Sequence, residues 1–309
     1  MRLFASLVVV VALGLSALWL RAPDRLAAEE MAARYQKPLP APGGPLDVFH
    51  LGHSLVGRDM PAMLAQLAGH DHASQLGWGT PLKAHWEDSL PIEGFATENA
   101  HPHYRDAREA LESGAFDAFV LTEMVEIEAA IEYFEAPDYL ERWVGLARAG
   151  NTDMRIYLFE TWHALDDPQG WLTRLDTDPA RYWEGVLLAR ALANEASGAI
   201  HVIPAGRVLA EFVRRIEGIG GLDGVQSRSD LFARLDDGSV DPLHLNDLGA
   251  YLIALTHYAV LYHRSPEGLP RQLRRADGTL ADAPGPAVAS LMQRTAWDVV
   301  RELSVTGLP

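Results

Sequence analysis

The stretch Val48-Phe49-His50-Leu51-Gly52-His53-Ser54-Leu55-Val56-Gly57 predicts the opening of an α/β fold. Residues 48–51 are mostly apolar and predict a short buried strand. The turn at Gly52 then presents Ser54 before a helix that begins near Asp59. A serine at the end of a parallel strand lies at the carboxyl edge of the sheet, where α/β proteins bind their ligands. On its own, such a serine more often only satisfies the backbone of a turn.

A second motif, Ser239-Val240-Asp241-Pro242-Leu243-His244-Leu245-Asn246, lies far downstream and changes that interpretation. A serine nucleophile needs a base to take its proton, and the base needs a carboxylate to hold its tautomer. Because Pro242 restricts the backbone between them, Asp241 and His244 can turn to the same side of a tight loop. Asp241 would then hold the Nδ1 proton of His244 while Nε2 faces Ser54. The alternatives are a turn or helix cap for Asp241 and a packed loop histidine for His244.

These residues, together with Gly79, resemble the SGNH (GDSL-like) hydrolase superfamily over residues 46–264. The resemblance implies a three-layer α/β/α sandwich with a doubly wound, flavodoxin-like parallel sheet of about five strands. It also implies a serine esterase without a cofactor, in which Ser54, Asp241 and His244 are catalytic. The chain does not resemble the α/β-hydrolases, because Val56 stands where their nucleophile elbow requires glycine.

The third sequence block of that family is altered. The predicted strand 117–121 leads into Thr122-Glu123, where a Gly-x-Asn sequence would be expected. The asparagine would donate a hydrogen bond to the oxyanion, which a glutamate can do only when protonated. We therefore expect Thr122 to donate through its hydroxyl, or the backbone amides of Ser54 and Gly79 to suffice, with Glu123 beside the substrate.

The alternation of strands and helices supports an α/β sandwich independently of the resemblance. After the predicted strand 154–160, Trp162 reaches the same edge as Ser54 and is a candidate for the substrate pocket, with core packing as the alternative. The other predicted strands are 82–86 and 200–203. The predicted helices are 60–68, 105–112, 136–149, 179–196, 208–216, 246–263 and 287–303.

Composition excludes several classes of function. The chain of 309 residues carries 42 acidic and 26 basic side chains, a net charge of −16, with no basic stripe, so it is not expected to bind nucleic acid. It has no cysteine, which excludes disulfides, thiol catalysis and thiolate metal sites. The pairs His50/His53, His70/His72 and His101/His103 leave a metal-dependent hydrolase as a lesser alternative, although loop histidines are more often only solvated.

The N-terminus predicts export. Arg2 is followed by an apolar run over residues 3–20 and then by Arg21, so residues 1–21 predict a signal-anchor or a signal peptide. An uncleaved anchor is favoured over a cleaved peptide, because no small-x-small cleavage site precedes Arg21; a buried helix is the third interpretation. Residues 22–45 predict a Pro/Ala-rich stalk, and residues 265–309 a C-terminal extension with a terminal helix.

These features together predict an enzyme of the cell envelope. It would be anchored in the inner membrane facing the periplasm, or secreted to the periplasm, and would hydrolyse an acyl ester of a glycan or a lipid, with O-acetyl groups as the first choice. The alternative is a non-catalytic relative that binds glycan or scaffolds an envelope complex. The sequence does not determine the oligomeric state.

Overall fold

A five-stranded parallel sheet forms the centre of the protein. The computed structural model describes residues 25–309. The strands are β1 (Asp47–His53), β2 (Asp71–Gly77), β3 (Ala118–Leu121), β4 (Arg155–Glu160) and β5 (Ile200–Pro204), with β6 (Phe232–Arg234) and β7 (Val240–Leu245) forming a separate antiparallel hairpin. The order in the main sheet is β2-β1-β3-β4-β5, which is that of a flavodoxin-like, doubly wound fold. The predicted fold class is confirmed.

Helices cover both faces of this sheet. A π-helical stretch, Pro179–Leu188, joins two of them into one long continuous element. The helices are α1 (Ala28–Arg34), α2 (Asp59–Ala68), α3 (Leu82–Trp86), α4 (Phe95–Glu98), α5 (Ala107–Glu112), α6 (Ile127–Tyr133), α7 (Ala136–Gly150), α8 (Trp171–Asp178), α9 (Ala189–Ala193), α10 (Ala205–Gly218), α11 (Asp247–Tyr262) and α12 (Pro286–Glu302).

The two faces of the sheet have separate apolar cores. Because side chains alternate along a strand, Val48 and Val120 point into one core, whereas Phe49 and Phe119 point into the other. Helices α2, α10, α11 and α12 pack together on the first face, and α3, α5, α7 and the π-helical stretch on the second. The strands are therefore buried on both sides, as parallel strands normally are.

Two elements near the site differ from the prediction. Residues 71–77 form the edge strand β2, which pairs with the whole of β1, although its sequence is too polar to indicate a buried strand. The buried polar side chain of Gln75 is satisfied by accepting from Ala107 N at 2.9 Å. Residues 82–86, predicted as a strand, form helix α3, because Leu82 and His85 bury one helical face behind an extended Pro81.

The segments outside 46–264 pack against the domain. In the predicted stalk, α1 buries Met31, and Tyr35 donates a hydrogen bond to Ile200 O at 2.6 Å. In the predicted extension, α12 buries Val288 and Met292 in the same core as α10 and α11. Parts of both predicted segments therefore pack against the same cores as the sheet.

The predicted signal-anchor or signal peptide, residues 1–21, lies outside the described residues. Among helices in the range 25–309, none combines the length and the apolar character that a membrane crossing requires.

Candidate active site

Ser54 follows directly on β1 and lies at the carboxyl edge of the sheet. The backbone turns sharply there, since Val56 N donates to His53 O at 2.9 Å. Only glycine fits at position 52. A Cβ atom there would stand 2.6 Å from Thr122 Cγ2 and 3.0 Å from Val56 Cγ2. The close approach of β1 to the end of β3 therefore requires Gly52 and sets the position of Ser54.

The side chain of His53, next to Ser54 in the chain, points into the protein. Its Nδ1 accepts from Leu55 N at 3.3 Å, and its Nε2 donates to Glu123 O at 2.9 Å. Because one partner can only donate and the other can only accept, these two contacts define the neutral tautomer. Burial lowers the pKa of His53 to about 4. His53 is thus a neutral support for the turn.

Three side chains from two distant parts of the chain meet at this rim. His244 Nε2 lies 3.0 Å from Ser54 Oγ, and His244 Nδ1 lies 2.9 Å from Asp241 Oδ2. A carboxylate can only accept, so Nδ1–H donates to Asp241 and Nε2 is left to accept from the hydroxyl of Ser54. The side chain of His244 is 43% exposed, so the pair opens to solvent. This is the juxtaposition that the two motifs predicted.

Asp241 is held as a carboxylate by its neighbours. Its Oδ1 accepts from Leu243 N at 2.8 Å and from His244 N at 3.0 Å. Partial burial by itself would raise the pKa of Asp241, but the two N–H donors and the imidazole outweigh burial and hold that pKa below its ordinary value. The carboxylate is therefore ionised at neutral pH and can orient His244.

The Asp241–His244 segment is a strand, β7, and not the tight loop that the sequence predicted. It is tied to the domain because Trp162 Nε1 donates to Leu243 O at 2.9 Å and Leu165 N donates to Pro242 O at 2.8 Å. Trp162 is buried, so the core-packing interpretation holds for most of its ring. Its indole also lines a small cavity beside the serine, and it positions the strand that carries His244.

Two cavities meet at Ser54 and His244. The larger one, of about 980 Å³, extends past Gly79 and Trp78 towards His101. The smaller one, of about 200 Å³, runs down towards Trp162 and helix α11. A substrate bound at Ser54 therefore has room for one of its parts in each cavity.

The predicted oxyanion residues have different positions. Gly79 lies in the wall of the larger cavity with a φ of +54°, a conformation that suits glycine. Thr122 does not have its predicted place, because its buried hydroxyl donates to Phe159 O at 2.7 Å. Within the part of the chain that the structure describes, Thr122 lines neither cavity.

Glu123 is also directed away from the serine. Its Oε1 accepts from Leu82 N at 3.2 Å and from Met124 N at 2.8 Å, and its side chain is buried behind the turn. Burial raises the pKa of Glu123 to about 7. The glutamate therefore supports the first turn of α3 and does not contact the cavities at Ser54, where the sequence placed it among the substrate-binding residues.

Among residues 25–309, none of the histidines of the predicted pairs belongs to a group of three side chains spaced as metal ligands. The rings of His72 and His103 are stacked, with centroids 4.3 Å apart and planes at 15°. A different group, Glu126, His163 and Asp167, has ligand atoms within 4.8 Å of one another. Arg174 lies inside that group, with Nη1 2.8 Å from Asp167 Oδ2 and 3.2 Å from Glu126 Oε2. Its guanidinium already supplies the positive charge that a metal ion would bring.

Sequence reasoning missed two residues that shape the site. His85 donates from Nε2 to Gly52 O at 2.8 Å and so supports the turn from beneath. Trp78 stands half-exposed in the wall of the larger cavity. The only signal for Trp78 was its place beside Gly79. His85 had none, since it lies in a segment predicted to be a strand.

Comparison with known proteins supports the fold. No family model matches the sequence, and no curated protein matches it either. Among solved structures, a DUF4886 family protein from Bacteroides uniformis is 16% identical, with a TM-score of 0.52 over 86% of this chain and 100% of that one. A GDSL-like lipase candidate from Parabacteroides merdae is 10% identical, with a TM-score of 0.40 over 71% of this chain and 96% of that one.

A third solved structure, phospholipase A1 from Streptomyces albidoflavus, is 13% identical, with a TM-score of 0.36 over 70% of this chain and 100% of that one. At 16% identity, the likeness to the DUF4886 family protein shows a shared fold and nothing about activity. The comparison therefore agrees with the α/β fold of this chain and goes no further.

Proposed function

We propose that the protein is a serine esterase in which Ser54 is the nucleophile, His244 the general base and Asp241 the orienting carboxylate. The observation that carries the proposal is the continuous series of hydrogen bonds from Asp241 through His244 to Ser54, at 2.9 and 3.0 Å, at the mouth of two cavities. This is the geometry by which a nucleophile, its base and a third group are recognised, whatever the fold.

The proposed reaction has two halves. Ser54 Oγ attacks the acyl carbonyl while His244 Nε2 takes its proton, and the imidazolium then gives that proton to the departing alcohol oxygen. Water next attacks the acyl-enzyme, with His244 again removing the proton, and the acid leaves as Ser54 regains its hydrogen. Asp241 stabilises the imidazolium in both halves.

The oxyanion would be held by the backbone amides of Ser54 and Gly79. Thr122 and Glu123 use their side chains elsewhere, so this arrangement lacks the side-chain donor that the resemblance implies. Removing one oxyanion donor costs about 10²–10³ in kcat in a well-studied protease. We therefore expect a slow enzyme rather than an inactive one.

The two cavities suggest where the acyl and the alcohol parts of an ester would bind. The cavity of about 200 Å³ beside Trp162 suits a short acyl group such as acetyl, and the cavity of about 980 Å³ leaves room for a large alcohol. The apolar N-terminal run suggests that the enzyme works in the cell envelope, anchored in the inner membrane or secreted to the periplasm, on an acylated glycan or lipid.

The test is the variant Ser54→Ala. We expect kcat/KM for p-nitrophenyl acetate to fall by at least about 10³-fold, because the nucleophile is lost. A fluorophosphonate probe should label the wild-type protein and the control variant Ser74→Ala, whose serine lies in the wall of the same cavity, but not Ser54→Ala. Activity that survived in Ser54→Ala would contradict the nucleophile. A wild-type protein that neither reacts nor hydrolyses esters would favour the non-catalytic alternative.

A further inference from the structure

Trp78 is unusual among the tryptophans of residues 25–309. Half of its surface is exposed, whereas Trp143, Trp162 and Trp183 are buried. It follows β2 directly, next to Gly79, and lines the larger cavity together with Ser54. A large exposed aromatic side chain inside a cavity is costly to hydrate and is a common sign of a ligand contact.

The indole of Trp78 is held in one orientation. Its Nε1 donates to Glu98 Oε1 at 2.8 Å, and its backbone N donates to Glu93 O at 2.8 Å. A Cβ atom added to Gly94 would stand 2.2 Å from Cδ2 of the indole, so one side of the ring lies directly on the Gly94 backbone. A ring that is fixed before binding loses little conformational entropy when a ligand stacks on it.

The surroundings of Trp78 fit a polyol better than a hydrocarbon chain. Charged or imidazole side chains interrupt the apolar surface of the larger cavity: Arg58, Asp59, Glu98, His101 and Asp277. An acyl chain would take these groups out of water and offer them no hydrogen bond in return, which is unfavourable. A sugar ring presents an apolar face of C–H groups to an aromatic ring, and its rim of hydroxyls can bond to the charged groups.

We propose that Trp78 is a stacking platform for a sugar ring in the alcohol part of the substrate. The substrate is then an acylated glycan and not an acylated lipid. This inference rests on the proposed esterase function, because it names the substrate class of that same site.

The kinetic test compares Trp78→Ala, Trp78→Phe and the control Tyr133→Ala, which removes another exposed aromatic ring outside the two cavities. The substrates are O-acetylated xylo-, gluco- and manno-oligosaccharides, p-nitrophenyl acetate and p-nitrophenyl octanoate. We expect Trp78→Ala to raise the KM for at least one oligosaccharide about 3- to 10-fold more than for p-nitrophenyl acetate, with kcat little changed. Trp78→Phe should recover part of this loss, and Tyr133→Ala should match the wild type.

A binding measurement separates this inference from the esterase itself. Calorimetry with the same oligosaccharides compares Ser54→Ala with the double variant Ser54→Ala/Trp78→Ala, in neither of which turnover is expected. Weaker binding to the double variant supports the platform even if the wild-type protein proves not to be an esterase. The platform is overturned if no oligosaccharide binds, if both variants bind equally, or if the octanoate is the preferred substrate and Trp78→Ala impairs all esters alike.

Discussion

His53 and His244 lie on either side of Ser54, one beside it in the chain and the other in contact with it in space. His53 is buried, bonded to two backbone groups and neutral. His244 is 43% exposed and is bonded to a carboxylate and a hydroxyl. The same imidazole therefore serves as a scaffold in one place and as a proposed base in the other. The difference lies in whether its second partner is a carboxylate or a backbone group, and in whether solvent reaches it.

The variant Asp241→Asn tests this difference between His53 and His244 most directly. An asparagine can still accept from Leu243 N and His244 N through its oxygen, so the fold of β7 should persist. Its amide group would then donate to His244 Nδ1, which forces the proton onto Nε2 and leaves no acceptor for Ser54. The equivalent change in a serine protease lowers kcat by about 10⁴-fold, and we expect a loss of that order in p-nitrophenyl acetate hydrolysis.

The control for this change is Asp277→Asn, which alters another carboxylate in the wall of the larger cavity. It should lower the hydrolysis of p-nitrophenyl acetate by less than about 3-fold, since no reacting group depends on it. If Asp241→Asn were as active as Asp277→Asn, His244 would not need its carboxylate and would be closer in role to His53.

The dependence of stability on pH tests whether buried histidines such as His53 are neutral in the native protein. Burial lowers the pKa of His53, His85 and His257 to about 4, whereas in the unfolded chain they titrate near about 6.5. Between these values the unfolded chain binds protons that the native protein excludes, so stability falls as the pH falls. The free energy of unfolding falls by about 1.4 kcal/mol per pH unit for each such histidine.

Glu123 acts in the opposite direction, because its pKa is raised to about 7 and the native protein takes up its proton first. Burial also lowers the pKa of His70, His72, His201 and His263 to about 4, which adds to the loss. We therefore expect the free energy of unfolding to fall by at least about 3 kcal/mol for each pH unit between about pH 6.5 and pH 5. Urea unfolding followed by circular dichroism at several pH values measures this slope. If the free energy of unfolding stayed constant from neutral pH to pH 5, the native protein would protonate these histidines as readily as the unfolded chain does.

The smallest expected effect is that of His53→Ala. The change leaves Leu55 N and Glu123 O without their partner and should lower the free energy of unfolding by about 1–3 kcal/mol. Tyr133→Ala, at an exposed aromatic ring, should cost less than about 0.5 kcal/mol. If urea unfolding showed the same loss of unfolding free energy for both variants, His53 would not support the turn.

Much of the site could be predicted from local patterns. The apolar strand before Gly52 and the Asp-x-x-His spacing identified Ser54, Asp241 and His244, because a strand end and a short spacing constrain where side chains can point. The edge strand β2 could not be predicted in the same way. Its sequence is polar, and it is stabilised by pairing with β1 and by partners such as Ala107 N that lie far along the chain.

Thr122 and Glu123 show the limit of this reasoning most clearly. Their place at the end of β3 was predicted correctly, but the direction of each side chain depends on Phe159 O and Leu82 N, which come from other elements. The sequence by itself determined the alternating α/β pattern and the two motifs that carry Ser54, Asp241 and His244, since each is encoded over a short distance. Only the tertiary structure decided which polar groups face the cavities, because a buried donor or acceptor turns towards whichever partner the packing brings near.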